Sequence, residues 1–420
     1  MKNSIHINKN RLNNNLIYLS QIGKDPITNG INRFLGSQTY IDSNKWILNY
    51  WHKNLKLLTH IDPIANLWGY SESNSDLAPI LIGSHHDAVP NGGMYDGALG
   101  ILLATEVIET LKENNVTLRH PIKIVSFTAE EPNPYNVSTL GSKVLSRRLT
   151  KKQLENIVHI ENGSLLKDDI NALGGNFDLI DEAILKPSDV CAFIECHIEQ
   201  GRRLFDKNLS LATVNTIIGI YREDIKIIGE ANHAGTTIMS DRKDALLGAC
   251  ELNIAFEKIL KAISSNEIVG TIGYLSVYPN STNIIPGEVN LCLEIRTCDT
   301  KIKEEIIKKL DAEVDKIISS RKVNIIRNVN LDQYPTIMDK ELLSILNKGV
   351  ESINEPVIEF VSMAGHDAAN MQRITKSGMI FVQSINGKSH CHDENTHIDD
   401  IEKAGNALLQ SILILDKELN

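Results

Sequence analysis

Four short apolar runs in this chain end alike, and that shared ending limits what it can fold into. Ile80-Leu81-Ile82 leads into Gly83-Ser84-His85-His86-Asp87 and a glycine-rich turn carrying Asp96. Ile122-Lys123-Ile124-Val125-Ser126-Phe127 finishes in Glu130-Glu131. Val190 to Ile198 carries His197, and Gly378 to Val382 is followed shortly by Ser389-His390. Short apolar runs of this kind read as buried strands. Each delivers His, Asp or Glu at or just past its carboxyl end, the edge where open α/β sheets bind ligands. Imidazole nitrogen combined with carboxylate oxygen suits borderline divalent ions such as zinc, cobalt or manganese. A single His-x-Asp is common by chance. Four such endings point to a metal site.

Charge and composition narrow the class. A formal net charge of -10 argues against a nucleic-acid binder, so a small anionic substrate would need a local cation. The polar start Met1-Lys2-Asn3-Ser4-Ile5-His6 does not read as a signal peptide, and no apolar run reaches membrane length. The six cysteines (Cys191, Cys196, Cys250, Cys292, Cys298, Cys391) lack a metal-like CxxC and read as buried free thiols of a reducing cytoplasm. The expectation is a cytoplasmic protein with neither nucleic acid nor membrane as partner.

Periodicity divides the chain. Residues 1–210 alternate strands with helices, for example Ala98 to Asn114 with Leu99, Leu102, Leu103, Ile108 and Leu111 apolar, the signature of a largely parallel sheet. Residues 211–328 change to β-α-β-β-α-β: Asp224–Ala231, Arg242–Ser264, Val269–Tyr278, Glu288–Thr297, Asp299–Ser320 and Lys322–Asn328. That order predicts a split-βαβ sandwich. Residues 329–420 return to helix-strand alternation and close with a helix over Asp399–Asp416. The predicted fold class is α/β, with one discontinuous domain (1–210 and 329–420) interrupted by another (211–328).

The motifs carry a family resemblance. GSHHDAVPNGGMYDG, TAEEP, HIEQG, HAGTT, AGHDA and SH-x-x-x-E-x-T stand in the order seen in zinc-peptidase-like amidohydrolases. HIEQG and HAGTT resemble the branch of N-carbamoyl-L-amino acid hydrolases, ureidopropionase and allantoate amidohydrolase. The resemblance implies a zinc-peptidase-like catalytic domain and an inserted ferredoxin-like domain for dimerisation or as a lid. It also implies two divalent ions per subunit, zinc first, with manganese, cobalt or nickel as alternatives. One ion takes His85 and His197, the other Glu131 and His390, and Asp96 bridges them; a shared carboxylate screens the repulsion between two close cations. Glu130 is the general base, and Asp87 orients His85 by accepting its distal N–H.

On the substrate side, Val289, Leu291, Leu293 and Ile295 share one face of their strand, which puts Arg296 on the other with Asn290 and Glu294. The resemblance makes Arg296 a two-pronged donor to a substrate carboxylate, with Asn283 and Gln200 adding hydrogen bonds. It makes His233 the oxyanion donor, supplied by the partner subunit of a homodimer. His366 stays open between a structural and a substrate-side role. His86 reads as structural, and His52, His60, His120 and His159 read as polar surface. The implied reaction is hydrolysis of the ureido C–N bond of a small carboxylate, such as an N-carbamoyl-L-amino acid, allantoate or ureidoglycolate; the alternative is an aminoacylase or dipeptidase. Met94, Arg202, Ile238, Met363 and His392 depart from the family pattern and bear on the substrate rather than the reaction class.

Overall fold

The computed structural model describes residues 5–263, 265 and 267–419; the start Met1–Ser4 and the expected helix end at Ser264 lie outside them. The chain separates into two compact units, Met1–Asn215 with Met338–Asn420, and Thr216–Ile337. Its principal strands are β1 (Leu58–Ile61), β2 (Leu67–Tyr70), β3 (Ile80–His85), β4 (Ile122–Phe127), β5 (Ala192–Ile198), β6 (Leu211–Ile217), β7 (Gly219–Ile228), β8 (Ile268–Tyr278), β9 (Glu288–Thr297), β10 (Asn324–Gln333) and β11 (Lys376–Val382).

In the first unit the order across the sheet is β6-β11-β5-β3-β4-β2-β1. The centre is parallel, β11 with β5, β5 with β3, and β3 with β4, while β2, β1 and β6 join antiparallel. Strands covered on both faces are apolar along most of their length, and every residue of β3 and of β5 is buried. Helix α1 (Ala98–Glu113) packs so tightly that a Cβ on Gly100 would stand 2.2 Å from the Cys196 carbonyl. Only glycine allows that approach. Because β3, β4, β5 and β11 run the same way, His85, Glu130-Glu131 and His197 leave the sheet at one edge, and the segment to His390 starts there too.

The second unit is a four-stranded antiparallel sheet in the order β8-β9-β7-β10. Helices α2 (Ala245–Lys261) and α3 (Thr300–Arg321) supply its core, Ala249, Leu252, Ile306, Leu310 and Ile317 meeting Ile225, Val289, Leu291 and Leu293. This is the split-βαβ arrangement, its elements shifted by a few residues: β7 starts at Gly219 rather than Asp224, and β10 runs to Gln333 rather than Asn328. β9 alternates half-buried and buried along its length, with Arg296 on the half-buried face.

Two expectations need correction. Only Cys196 is buried; Cys250 is exposed, the other four cysteines are half-buried, and all six are free. His120 is buried, Nδ1 2.8 Å from the Ala78 carbonyl and its amide N–H donating to Asp416 Oδ1 at 2.8 Å. Among the described residues no helix is long and apolar enough to cross a membrane.

Ile82 has no exposed surface at the centre of β3. Ile82→Ala is expected to cost about 2–5 kcal/mol, from lost burial and the cavity left behind. Urea titration followed by near-ultraviolet circular dichroism measures it as a lowered midpoint.

Candidate metal centre

Asp96 organises the strand-end residues into two groups of three. His85, Asp96 and His197 form one group; Asp96, Glu131 and His390 form the other. Asp96 Oδ1 is 3.2 Å from His197 Nε2 and 3.6 Å from His85 Nε2. Oδ2 lies 3.4 Å from His390 Nε2, which is itself 3.3 Å from Glu131 Oε1. One carboxylate thus turns one oxygen to each group.

The donor atoms fit ions. The two histidine Nε2 atoms of the first group approach to 3.4 Å. His197 Nδ1 is 2.9 Å from the Ile198 carbonyl, and His85 Nδ1 is 3.3 Å from both the carbonyl and Oδ1 of Asp87. Those acceptors place each proton on Nδ1, which leaves two Nε2 lone pairs converging on each other and on a carboxylate. Lone pairs so arranged repel unless a cation sits among them. Donors about 2.0–2.2 Å from a tetrahedral ion stand about 3.3–3.6 Å apart, the spacing seen here. Glu131 Oε1 is buried without a hydrogen-bond donor, which matches an atom that awaits an ion. Three histidine nitrogens with two carboxylates suit a borderline divalent metal.

Local backbone conformation aims these groups. Ala129, Gln200 and His390 all take left-handed φ, +50°, +59° and +56°, although none is glycine. Each costs of order 1–3 kcal/mol, and such costs gather at functional sites. Gly97 has φ +63°, and a Cβ there would reach 2.2 Å from the His85 ring. Asp87 does two things: it faces His85 Nδ1, and its two oxygens accept the amide N–H of Glu130 (3.2 Å) and Glu131 (3.0 Å). Those amides hold the glutamate pair at the end of β4. Glu130 Oε2 lies 3.7 Å from His85 Nε2, and burial pushes its carboxyl well above the usual range. The adjoining carboxylates of Asp96 and Glu131 push the His390 imidazole up to about 11.

Other expected site residues fall as follows. Gln200 donates from Nε2 to Asp96 Oδ2 at 2.7 Å, so its amide group serves the ligand set, while its Oε1 is buried without a donor. His366 is buried edge-on to His197, 4.5 Å between ring centroids, with Nε2 2.9 Å from Ser362 Oγ; these contacts support the structural role. His86 is buried beside Tyr40, with Nδ1 on Ser126 Oγ at 2.6 Å. In the second unit His233 is exposed and bridges Ile284, while the Asn283 carbonyl accepts from Ala234 N. Arg296 donates from Nε to Glu294 Oε1 at 2.7 Å, and Arg222 pairs with the same carboxylate. Asn283 precedes β9 and Arg296 nearly ends it. Glu288 to Arg296 alone spans about 25 Å of strand. Within one chain Asn283 therefore lies beside His233, at the opposite end of β9 from Arg296. Three residues had no predicted role. Ser389 and Glu394 border Asp96, and buried Glu195 accepts from Ser84 Oγ (2.7 Å) and Ala368 N (2.9 Å) beneath His197. Glu394 stands in a quoted motif, whereas nothing in the sequence flags Glu195 beyond its place two residues before His197.

The profile of Peptidase family M20/M25/M40 matches residues 81–413, which span every one of these ligands. The chain belongs to this family. Within it, the N-carbamoyl-L-amino-acid amidohydrolase of Pseudomonas sp. (strain NS671) is 31% identical over 415 residues, covering 98% of this chain and 99% of the relative. The ureidoglycolate hydrolase of Arabidopsis thaliana is 30% identical over 412 residues, covering 96% and 85%. The crystal structure of AtUAH in complex with (S)-hydroxyglycine aligns with a TM-score of 0.86 at 28% identity, covering 99% of both chains. The mixed α/β architecture read from the sequence is that of this M20 family.

Two outcomes are expected. Metal uptake must displace the His390 proton, so apparent affinity rises with pH, and calorimetry in two buffers of different ionisation enthalpy records proton release. Gly97→Ala is expected to push the His85 ring aside and weaken divalent-metal binding, measured by chelator competition.

Proposed function

We propose that this M20-family chain hydrolyses the ureido C–N bond of a small carboxylate-bearing substrate, an N-carbamoyl-L-amino acid, allantoate or ureidoglycolate. The observation that carries the reading is Asp96 turning one oxygen to each group of three ligands. The relatives' carbamoylase and ureidoglycolate hydrolase activities support the ureido substrate. Zinc is the proposed metal, with manganese, cobalt or nickel fitting the same donors. His85, Asp96 and His197 would hold one ion, and Asp96, Glu131 and His390 the other. Such a pair supplies Lewis acidity at the carbonyl oxygen and lowers the pKa of a water towards neutrality.

The chain's own residues do the rest. Glu130, close to His85 and raised in pKa by burial, accepts the proton of the attacking water and returns it to the departing nitrogen. Asp87 keeps Glu130 in place through its amide and keeps the His85 proton on Nδ1. For R–NH–CO–NH2 plus water, the products are R–NH2, carbon dioxide and ammonia. Arg296 anchors the substrate carboxylate, exchanging its bond to Glu294 for a two-pronged one. His233 stabilises the oxyanion, with Asn283 beside it, from the partner subunit of a cytoplasmic homodimer. The separation of Asn283 from Arg296 along one chain supports that division between subunits. In this reading the unit carrying the ligands is the catalytic domain and the inserted unit provides dimerisation.

Glu130→Gln should reduce ammonia release from N-carbamoyl-L-amino acids and allantoate by about 10²–10⁴-fold while two ions remain bound. N-acetyl amino acids and dipeptides run alongside; turnover of these with silence on ureido compounds overturns the substrate reading. Mixing Glu130→Gln with His233→Ala subunits should restore part of the activity, and an inactive mixture of proven heterodimers rejects the shared site.

A further inference from the structure

The corner that carries Glu130 has each of its amides held by a side chain from elsewhere in the chain. Asn66 Oδ1 accepts from Thr128 N at 2.8 Å, and the Tyr40 hydroxyl oxygen accepts from Ala129 N at 3.2 Å. The two oxygens of Asp87 take the next two amides, Glu130 N at 3.2 Å and Glu131 N at 3.0 Å. On the other side of the corner, the carbonyls of Thr128, Ala129 and Glu130 accept from the amides of Gly141, Leu140 and Thr139, at 2.9, 3.0 and 2.7 Å. A general base has to be held this closely, because proton transfer demands a fixed geometry.

Ala129 is the weak point of the corner. Its φ of +50° is left-handed, a conformation that alanine leaves unless its surroundings hold it. It directly precedes Glu130, so any relaxation of Ala129 swings the Glu130 side chain. The hydroxyl that takes its N–H belongs to a residue set firmly in place. Tyr40 is 1% exposed and sits in the first turn of the helix Gln38–Lys53, where its own N–H donates to Ser37 Oγ at 3.2 Å. Its ring centroid lies 4.9 Å from that of His86. Phenylalanine would fill the same space against His86, so it is the buried oxygen that calls for an explanation.

We infer that Tyr40 is a positioning residue: its hydroxyl holds Ala129 in the left-handed conformation and so sets the Glu130 carboxylate where it takes the proton of the attacking water. The inference rests on the reading of Glu130 as general base. Glu131 shares the corner, but its side chain also faces His390 at 3.3 Å. Glu130 Oε2 stands 3.7 Å from His85 Nε2 and depends more on its backbone for position.

Tyr40→Phe removes the oxygen and keeps the ring. Ammonia release is measured on purified, zinc-loaded, full-length protein with the ureido substrate it turns over fastest, and zinc content is determined on the same samples. The variant should lose about 10–100-fold in kcat, as a slightly misplaced group does. KM should move by less than about twofold, since Glu130 acts on the water rather than on substrate binding. Zinc content should match wild type. In a Glu130→Gln background the same change should cost less than about twofold, because Tyr40 acts through the carboxylate that is gone. A hydroxyl that only stabilises the fold would lower both backgrounds alike.

An unchanged kcat in Tyr40→Phe overturns the inference. So does an equal fall in both backgrounds, or a loss of zinc that matches the loss of activity. 4-Aminophenylalanine at position 40 has nearly the size of tyrosine but turns N–H groups rather than an acceptor oxygen towards Ala129 N, and its kcat should fall as well. If Tyr40→Phe does not fold, this variant decides, and a wild-type kcat in it rejects the inference. Full activity in Glu130→Gln sinks the general-base reading itself, whereas a deep loss there beside an unaltered Tyr40→Phe sinks only the role of Tyr40.

Discussion

Everything at the sheet edge depends on the Asp96 carboxylate serving two groups at once. Its Oδ1 faces two histidines whose Nε2 lone pairs point at each other, and its Oδ2 faces a histidine and a buried glutamate. Such a cluster is unstable as a set of bare polar groups, since buried charges must be paired or coordinated. The surrounding structure holds it in place from outside. Asp87 straps the glutamate pair, backbone carbonyls fix the tautomers, Gln200 and Ser389 donate to Oδ2, and Glu394 grips the backbone. Three non-glycine residues accept left-handed backbone to complete the arrangement. The parallel sheet is what makes this affordable, because its centre is apolar on both faces and hydrophobic burial is large there.

Much of this was legible before any coordinates. The four strand endings were visible because buried parallel strands are continuous apolar runs, and polar residues that follow such runs stand out. His85, Asp96, Glu131, His197 and His390, far apart in the chain, lie together in two groups of three that could hold a metal ion. Strand β9 was read to the residue, since alternation along a half-buried strand is a strong signal. β7 and β10 run further than expected, into segments where polar residues interrupt the apolar face: Glu223 is buried in β7, and Val329 is exposed in β10.

Other features left no local trace. That Asn283 lies beside His233 and a strand's length from Arg296 is hidden by sequence distance, which does not report the strand between two residues. The burial of His120 goes with contacts to Ala78 and Asp416, far from it in the chain, and composition cannot report that. Ser389 is visible beside His390 in its motif, but its place between two carboxylates, one of them about 290 residues earlier in the chain, is not. Contacts of that separation belong to topology, which single-sequence patterns do not encode.

The position of β11 between β5 and β6 governs the order in which the protein can be completed. That strand comes from residues 376–382, after the whole second unit, yet it joins the middle of the first sheet. Until it is synthesised, β5 ends in a bare edge and His197 stands on an unclosed scaffold. At about 5–20 residues per second, roughly 10–40 s separate His197 from His390 on the ribosome. The second unit, with its own core, has all its strands before then. It follows that the inserted unit matures first and the ligand-bearing sheet closes last, so any chain cut short before residue 376 exposes a hydrophobic edge prone to aggregation.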